Sequence, residues 1–219
     1  MPAITLTFDN GPDPDATPLV LDTLGELGLA STFFVIGEKL ARPGRRALAE
    51  RAKREGHRIG NHTWSHSVPL GHMTGDDVPG REIAQTEAEL GDLAEAEPLF
   101  RPYGGGGLLG SDLLSPACVD HLLAHRYSCV LWSAVPRDWE DPDGWVKRAL
   151  GQCGERDWSL VVLHDIRTDA MRRLPEFVAR AREAGYEFRT DLPPDLVPIR
   201  SGRIEGPIEP YVSDPKVSP

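Results

Sequence analysis

The chain has 219 residues and a formal net charge of −10 at neutral pH. That length fits one domain at ~100–200 residues each, enough to bury a core without disulfide or metal staples. With 40% hydrophobic and 26% charged residues, a disordered or fibrous chain is excluded. No apolar run approaches the ~20 residues of a membrane span, and the acidic balance argues against nucleic acid or anionic lipid as partner.

Apolar runs and amphipathic stretches alternate along the chain. Ala3 to Phe8 reads as a buried strand, followed by a turn rich in Asp, Gly and Pro. No basic region or cleavage site precedes it, so the sequence offers no signal peptide and the expected location is cytoplasmic. Leu19, Leu21, Leu24 and Leu27 fall at helical spacing before Gly28. Residues 31–36 are β-branched and aromatic, a second strand. A charged helix is predicted over 38–55, and a short strand over 58–61 leads into a His-rich loop. A helix is predicted over 77–96, a short strand over 99–101, and a Gly-rich loop at 104–107.

The second half repeats the rhythm. Helices are predicted over 111–125, 143–153 and 170–184, with strands over 127–132, 160–163 and 186–189. From Pro193 onward seven prolines fall within 27 residues, and 193–219 reads as a Pro-rich tail after a domain of residues 1–192. The three cysteines, Cys118, Cys129 and Cys153, have no metal-knuckle spacing and read as small buried hydrophobes. Strand–helix alternation implies an α/β fold with a parallel sheet and right-handed crossovers. About seven units suggest a distorted (β/α)7-type barrel, related to the eight-fold barrels, with chemistry at the C-terminal ends of the strands.

The polar clusters obey that rule. Asp9-Asn10-Gly11-Pro12 follows the first strand, His62 to His66 the third, Arg101-Pro102-Tyr103 the fourth, Asp138-Trp139 the fifth and His164-Asp165 the sixth. His62 and His66, four apart, can face one cation, although two surface histidines would share that spacing. His121 and His125 have it too, but on a helix whose other residues fill a core face, and they read as solvent-facing. Asp9 is either an acceptor for loop N–H groups or a general base. His164 is a core residue, a ligand or a general acid, and Asp138 could orient it. Arg101 could pin Asp9 or form an ordinary surface ion pair.

Taken in order, Thr7 to Pro12, Gly56 to His66, Arg101-Pro102-Tyr103, Asp138-Trp139 and Leu163-His164 resemble the NodB-homology polysaccharide deacetylases over about residues 4–189. The resemblance implies a NodB-like barrel and a divalent metal, zinc first, with cobalt or nickel as alternatives. It implies hydrolysis of N-acetyl groups, a non-peptide C–N bond, on an amino-sugar polymer or oligomer. Asp9 would be the base that activates water, with Arg101 holding it. His164 would protonate the leaving amine, tuned by Asp138. His62, His66 and position 10 would hold the metal. The Tyr103 N–H would help stabilise the oxyanion, and Trp139 and Leu163 would wall the groove for the acetyl methyl.

The sequence departs from the family pattern at three points. Asn10 stands where the family has a second Asp, a neutral amide in place of a carboxylate, so weaker metal binding is expected. Asp13, Asp15 or a deamidated Asn10 are the alternative sources of an acid. The Arg-Pro-Tyr motif is one residue shorter than usual, and Val135 stands where an Asp is frequent. Two other readings follow: a hydrolase of the same fold acting on a small amide, and a catalytically impaired carbohydrate-binding relative.

Overall fold

The computed structural model describes residues 1–214. Among these, seven strands run parallel: β1 (Ala3–Asp9), β2 (Thr32–Val35), β3 (Arg58–Asn61), β4 (Leu99–Phe100), β5 (Ser128–Cys129), β6 (Trp158–His164) and β7 (Glu187–Arg189). β1 is central. It pairs with β6 along its whole length, with β7 at its start and with β2 at its end. From β2 the order continues through β3 and β4 to β5. The chain beyond β5 then closes the ring: Ala134 bridges Val161 of β6, and the Val162 N–H donates to the Ala134 carbonyl at 2.9 Å. The result is the expected distorted (β/α) barrel, with a thin seam between β5 and β6.

β1 is buried at all seven positions because helices cover one face and the barrel interior the other. Successive side chains alternate across a strand. Ile4, Leu6 and Phe8 therefore join the helix-side core with Trp145, Val161, Leu163 and Phe177. Thr7 and Asp9 point inward, where both meet Arg101. A second core of Phe34, Phe100, Leu131, Leu160 and Val162 fills the rest.

Helix α1 (Ala16–Leu27) stops at Gly28, whose φ of 65° is left-handed, and the Leu29 N–H returns to the Leu24 carbonyl. The helix predicted over 38–55 is two pieces, α2 (Gly37–Leu40) and α3 (Arg46–Arg54). Pro43 and Gly44 separate them: Pro lacks an N–H, and Gly44 sits at φ 78°. The stretch predicted helical over 77–96 is a wide π-turn at Gly80–Ala84, then α4 (Gln85–Leu90), then a 3-10 turn. Helix α5 (Pro116–Ala124) begins five residues later than expected, because the Ser115 hydroxyl accepts from the Cys118 N–H and Pro116 takes the first helical position. Helices α6 (Trp145–Cys153), α7 (Thr168–Met171) and α8 (Leu174–Glu183) complete the outer layer.

Beyond residue 192 the chain stays on the barrel. A 3-10 turn at Pro194–Leu196 leads into β8 (Ile199–Arg200), which pairs antiparallel with β5, and β9 (Arg203–Ile204) folds back on it. Leu196, Val197, Ile199 and Ile208 are buried in the second core. Residues 215–219 of the predicted tail lie outside the described residues. The three cysteines are free and buried, and burial raises their thiol pKa values, to about 12 for Cys129 and about 11 for Cys153. Among the described residues no helix is long and apolar enough to cross a membrane.

Candidate active site

Asp9 is the last residue of β1 and Arg101 the first after β4, so the two meet at the C-terminal mouth of the barrel. The Arg101 Nη1 donates to Asp9 Oδ1 at 2.7 Å and to Thr7 Oγ1 at 2.7 Å. Its Nε donates to the Val130 carbonyl, and its guanidinium stacks 4.0 Å from the Phe34 ring centroid. Arg101 is fully buried, not a surface ion pair. The other Asp9 oxygen, Oδ2, lies 3.5 Å from His62 Nε2.

His62 follows β3 directly. Its Nδ1 is 2.9 Å from the Arg101 carbonyl. A carbonyl only accepts, so Nδ1 carries the proton and the Nε2 lone pair is free. The His66 ring lies 4.7 Å from that of His62 and 4.1 Å from that of Tyr103. Burial lowers the pKa of His62 to about 3, and burial together with the neighbouring His62 lowers that of His66 to about 2. Both imidazoles are therefore neutral, the form that ligates a metal.

His164 ends β6. Its Nδ1 donates to Asp138 Oδ1 at 2.8 Å, and its own N–H donates to Oδ2 at 2.9 Å. The fully buried Asp138 is thus spent on one partner. Burial pulls the His164 pKa down, but the Asp138 charge and hydrogen bond outweigh it and hold it above the ordinary value. Trp139 stacks edge-on against the His164 ring at 4.6 Å.

Asp9, His62, His66 and His164 line one cavity of about 320 Å³, with Tyr103, Trp132, Trp139, Val162 and Ile166 among its walls; Arg101 and Asp138 hold Asp9 and His164 from behind. The expectation that Leu163 walls it is corrected: Leu163 lies in the helix-side core, and Val162 faces the cavity instead. Strand alternation is the reason, since 162 and 164 share a face of β6 and 163 does not. Two of the four glycines after Tyr103, Gly104 and Gly107, are there for packing. A Cβ on Gly104 would sit 2.5 Å from the Trp132 ring, and one on Gly107, at φ 79°, would sit 2.7 Å from Val135. The Trp132 indole N–H donates to the Gly107 carbonyl at 2.9 Å. A second cavity of about 730 Å³, walled partly by Arg137, Gln152 and Asp195, shares Gly106, Gly107, Trp132 and Val135 with the first.

One contributor has no motif signal: the Lys39 ammonium donates to the Asn10 carbonyl at 2.8 Å from α2. Asp165, the second residue of the polar cluster after the sixth strand, is fully buried, accepts from the Thr17 hydroxyl and lies against Gly11. Trp132 was findable, since it stands just beyond the fifth strand. His121 and His125 stack on each other on α5, away from the cavity, with His125 exposed.

The donor set suits a divalent cation. Two neutral imidazoles and the Asn10 Oδ1, a buried acceptor without a hydrogen-bond partner, border the cavity. Among the described residues no three His, Cys, Asp or Glu side chains group as a metal cage; the Asn10 amide oxygen is the acceptor that borders the cavity beside the two imidazoles. Asn10 sits at φ 72°, a left-handed conformation that Asn tolerates. Asp13 is not a substitute: its Oδ1 accepts from the N–H groups of Asp15 and Ala16 at the start of α1. Asp15 is exposed.

The family model described as polysaccharide deacetylase matches residues 1–108. The peptidoglycan-N-acetylglucosamine deacetylase of Bacillus cereus is 31% identical over 194 residues, 85% of each chain. The chitooligosaccharide deacetylase of Sinorhizobium fredii is 35% identical over 168 residues, 75% of this chain and 72% of that one. Against the longer Listeria monocytogenes deacetylase PgdA, the chain spans 37% of the relative's length. A family 4 acetyl xylan esterase from Clostridium thermocellum, solved with a cobalt ion, matches with a TM-score of 0.68 and 28% identity over 86% of this chain and 87% of that one.

Proposed function

The chain belongs to the polysaccharide deacetylase family, and from that premise we propose that it is a hydrolase removing N-acetyl groups from an amino-sugar polymer or oligomer. The observation that carries the reading is the meeting of two hydrogen-bonded pairs, Asp9–Arg101 and His164–Asp138, at one cavity beside two neutral imidazoles. Amide hydrolysis needs a group to take a proton from water and another to give one to the leaving amine, and each pair offers one such group.

Asp9, held by Arg101, takes the proton of the attacking water. His164, with Nδ1 committed to Asp138, delivers the proton on Nε2 to the leaving amine. The Tyr103 N–H stabilises the oxyanion, and Trp139, Val162 and Ile166 wall the acetyl methyl away from water. Asn10, His62 and His66 would hold a divalent metal, zinc by the softness of two imidazoles, with cobalt or nickel as alternatives, which supplies Lewis-acid polarisation of the carbonyl. The adjoining cavity, with room for a neighbouring sugar, favours a chain over a free monosaccharide.

Asn10 favours a second reading, a carbohydrate-binding relative with impaired chemistry. A binding module, however, has no use for a buried acid–base set. The test is acetate release from N-acetylated chito-oligosaccharides, with zinc, cobalt or nickel added, by the wild type and by Asp9→Ala and His164→Ala. The wild type should release acetate and both variants should lose that activity. Release by neither wild type nor Asn10→Asp from any acetylated sugar would sink the reading.

A further inference from the structure

The loop carrying His62 and His66 is irregular and bent. Thr63 sits at φ 65° and His66 at φ 48°, conformations that side-chain-bearing residues adopt only where their surroundings over-determine them. Four successive N–H groups of this loop are satisfied by side chains. The Thr63 N–H donates to Asn61 Oδ1 and the His66 N–H to Thr63 Oγ1. The two in between, on Trp64 and Ser65, donate to a single carboxylate oxygen, Glu82 Oε2, at 3.2 and 2.9 Å. The other oxygen, Oε1, accepts from the Ser65 hydroxyl at 2.9 Å.

Glu82 belongs to another element. It is 3% exposed and lies on the π-turn Gly80–Ala84, a widened turn often found at functional sites. The next residue, Ile83, offers its carbonyl to Asn61 Nδ2 at 2.9 Å. From the opposite side, the Gly37 and Glu38 N–H groups of α2 donate to the Thr63 and Trp64 carbonyls. The loop is thus held between an acceptor, Glu82, and a row of donors, and neither touches an imidazole.

We propose that Glu82 is a positioning residue: it sets the backbone on which His62 and His66 stand, and so the facing of the two rings that, on the reading above, hold a divalent ion. One oxygen takes both backbone N–H groups; the other takes the Ser65 hydroxyl, which also lies 2.9 Å from the Ser67 hydroxyl and can turn to it. Glu82→Met keeps the length of the side chain and removes every acceptor, leaving the Trp64 and Ser65 N–H groups unpaired. Glu82→Asp keeps the charge with a shorter reach.

Two measurements test this. Zinc affinity, read by competition with a chromophoric chelator, should fall roughly tenfold or more in Glu82→Met, with Glu82→Asp between it and the wild type. In the metal-free proteins, long-range ¹H–¹⁵N spectra should show the His62 and His66 ring signals displaced or exchange-broadened in Glu82→Met, while those of His121 and His125 stay put. A purely structural glutamate would lower the melting temperature and leave the ring signals of the folded protein unchanged. Wild-type zinc affinity with wild-type ring signals in Glu82→Met overturns the proposal. If the wild type itself binds no zinc, the metal reading fails, and the metal-free ring signals alone decide for or against Glu82. If Glu82→Met does not fold, Glu82→Asp carries the same two measurements, and unchanged ring signals in it overturn the proposal.

Discussion

Arg101 lies fully buried with its guanidinium 2.7 Å from Asp9, and the two residues are 92 positions apart in the chain. Desolvation pulls the Arg101 pKa down and the Asp9 charge pulls it back up. A buried pair of this kind contributes little net stability, but removing one partner leaves an uncompensated charge.

Arg101→Met should therefore destabilise the protein by about 3–5 kcal/mol. Adding Asp9→Asn should recover a large part of that loss, because no buried charge remains. Urea unfolding of the two single variants and the double variant measures the coupling. Strict additivity would show that the pair does not interact.

Asp138→Asn should act on the pH profile as well as on the rate. His164 must be protonated to serve as the acid, so kcat/KM falls as pH rises through its pKa, which Asp138 holds above the ordinary value against the pull of burial. Without that carboxylate burial is opposed only by the charges of Asp9 and Asp165. The alkaline limb should move to lower pH, and the rate should drop by roughly a hundredfold or more. An unmoved limb would remove His164 from the role.

Asn10→Asp should raise zinc affinity by roughly tenfold or more, since ligand charge sets the affinity of oxygen sites. Chelator competition on both proteins reads this directly. Equal affinities would mean that residue 10 does not reach the ion.

Stability should depend on pH through His62, His66 and Asp165. His62 and His66 stay neutral when folded down to about pH 3 and 2, but bind protons in the unfolded chain below about 6.5. The unfolded state binds more protons in that window, so stability falls as pH falls through it. Asp165 runs the other way. Burial raises its pKa to about 7 when folded, against about 3.9 unfolded. The folded state binds more protons between these values, so stability falls as pH rises from about 4 to 7. The melting-temperature difference between Asp165→Asn and wild type should grow more positive over that range. A flat difference would contradict the shift.

Truncation after Leu192 should abolish cooperative folding. Leu196, Val197, Ile199 and Ile208 are all buried. Each contributes about 1.5–3 kcal/mol, so losing four together rivals the ~5–15 kcal/mol that hold a domain together. A sharp thermal transition in the truncated chain would show residues 193–214 to be dispensable.

By itself the sequence determined the strand–helix rhythm, the barrel class and the placement of polar clusters at strand ends. These are local signals: the first strand reads as one from six consecutive residues, Ala3 to Phe8, and Gly28 ends a helix within one turn. It also brought Asp9, His62, His66, Arg101, Asp138 and His164 into one candidate site, through motifs that each span a few residues. Tertiary structure alone decided what depends on contacts between distant segments. It buried Arg101, turned Leu163 into the core, closed the barrel through Ala134 and Val161, and carried residues 193–214 onto β5. It also brought Lys39 to Asn10 and Glu82 to Ser65. No local pattern encodes such meetings, because a side chain's partners across a barrel depend on register and closure, which only the whole sheet fixes.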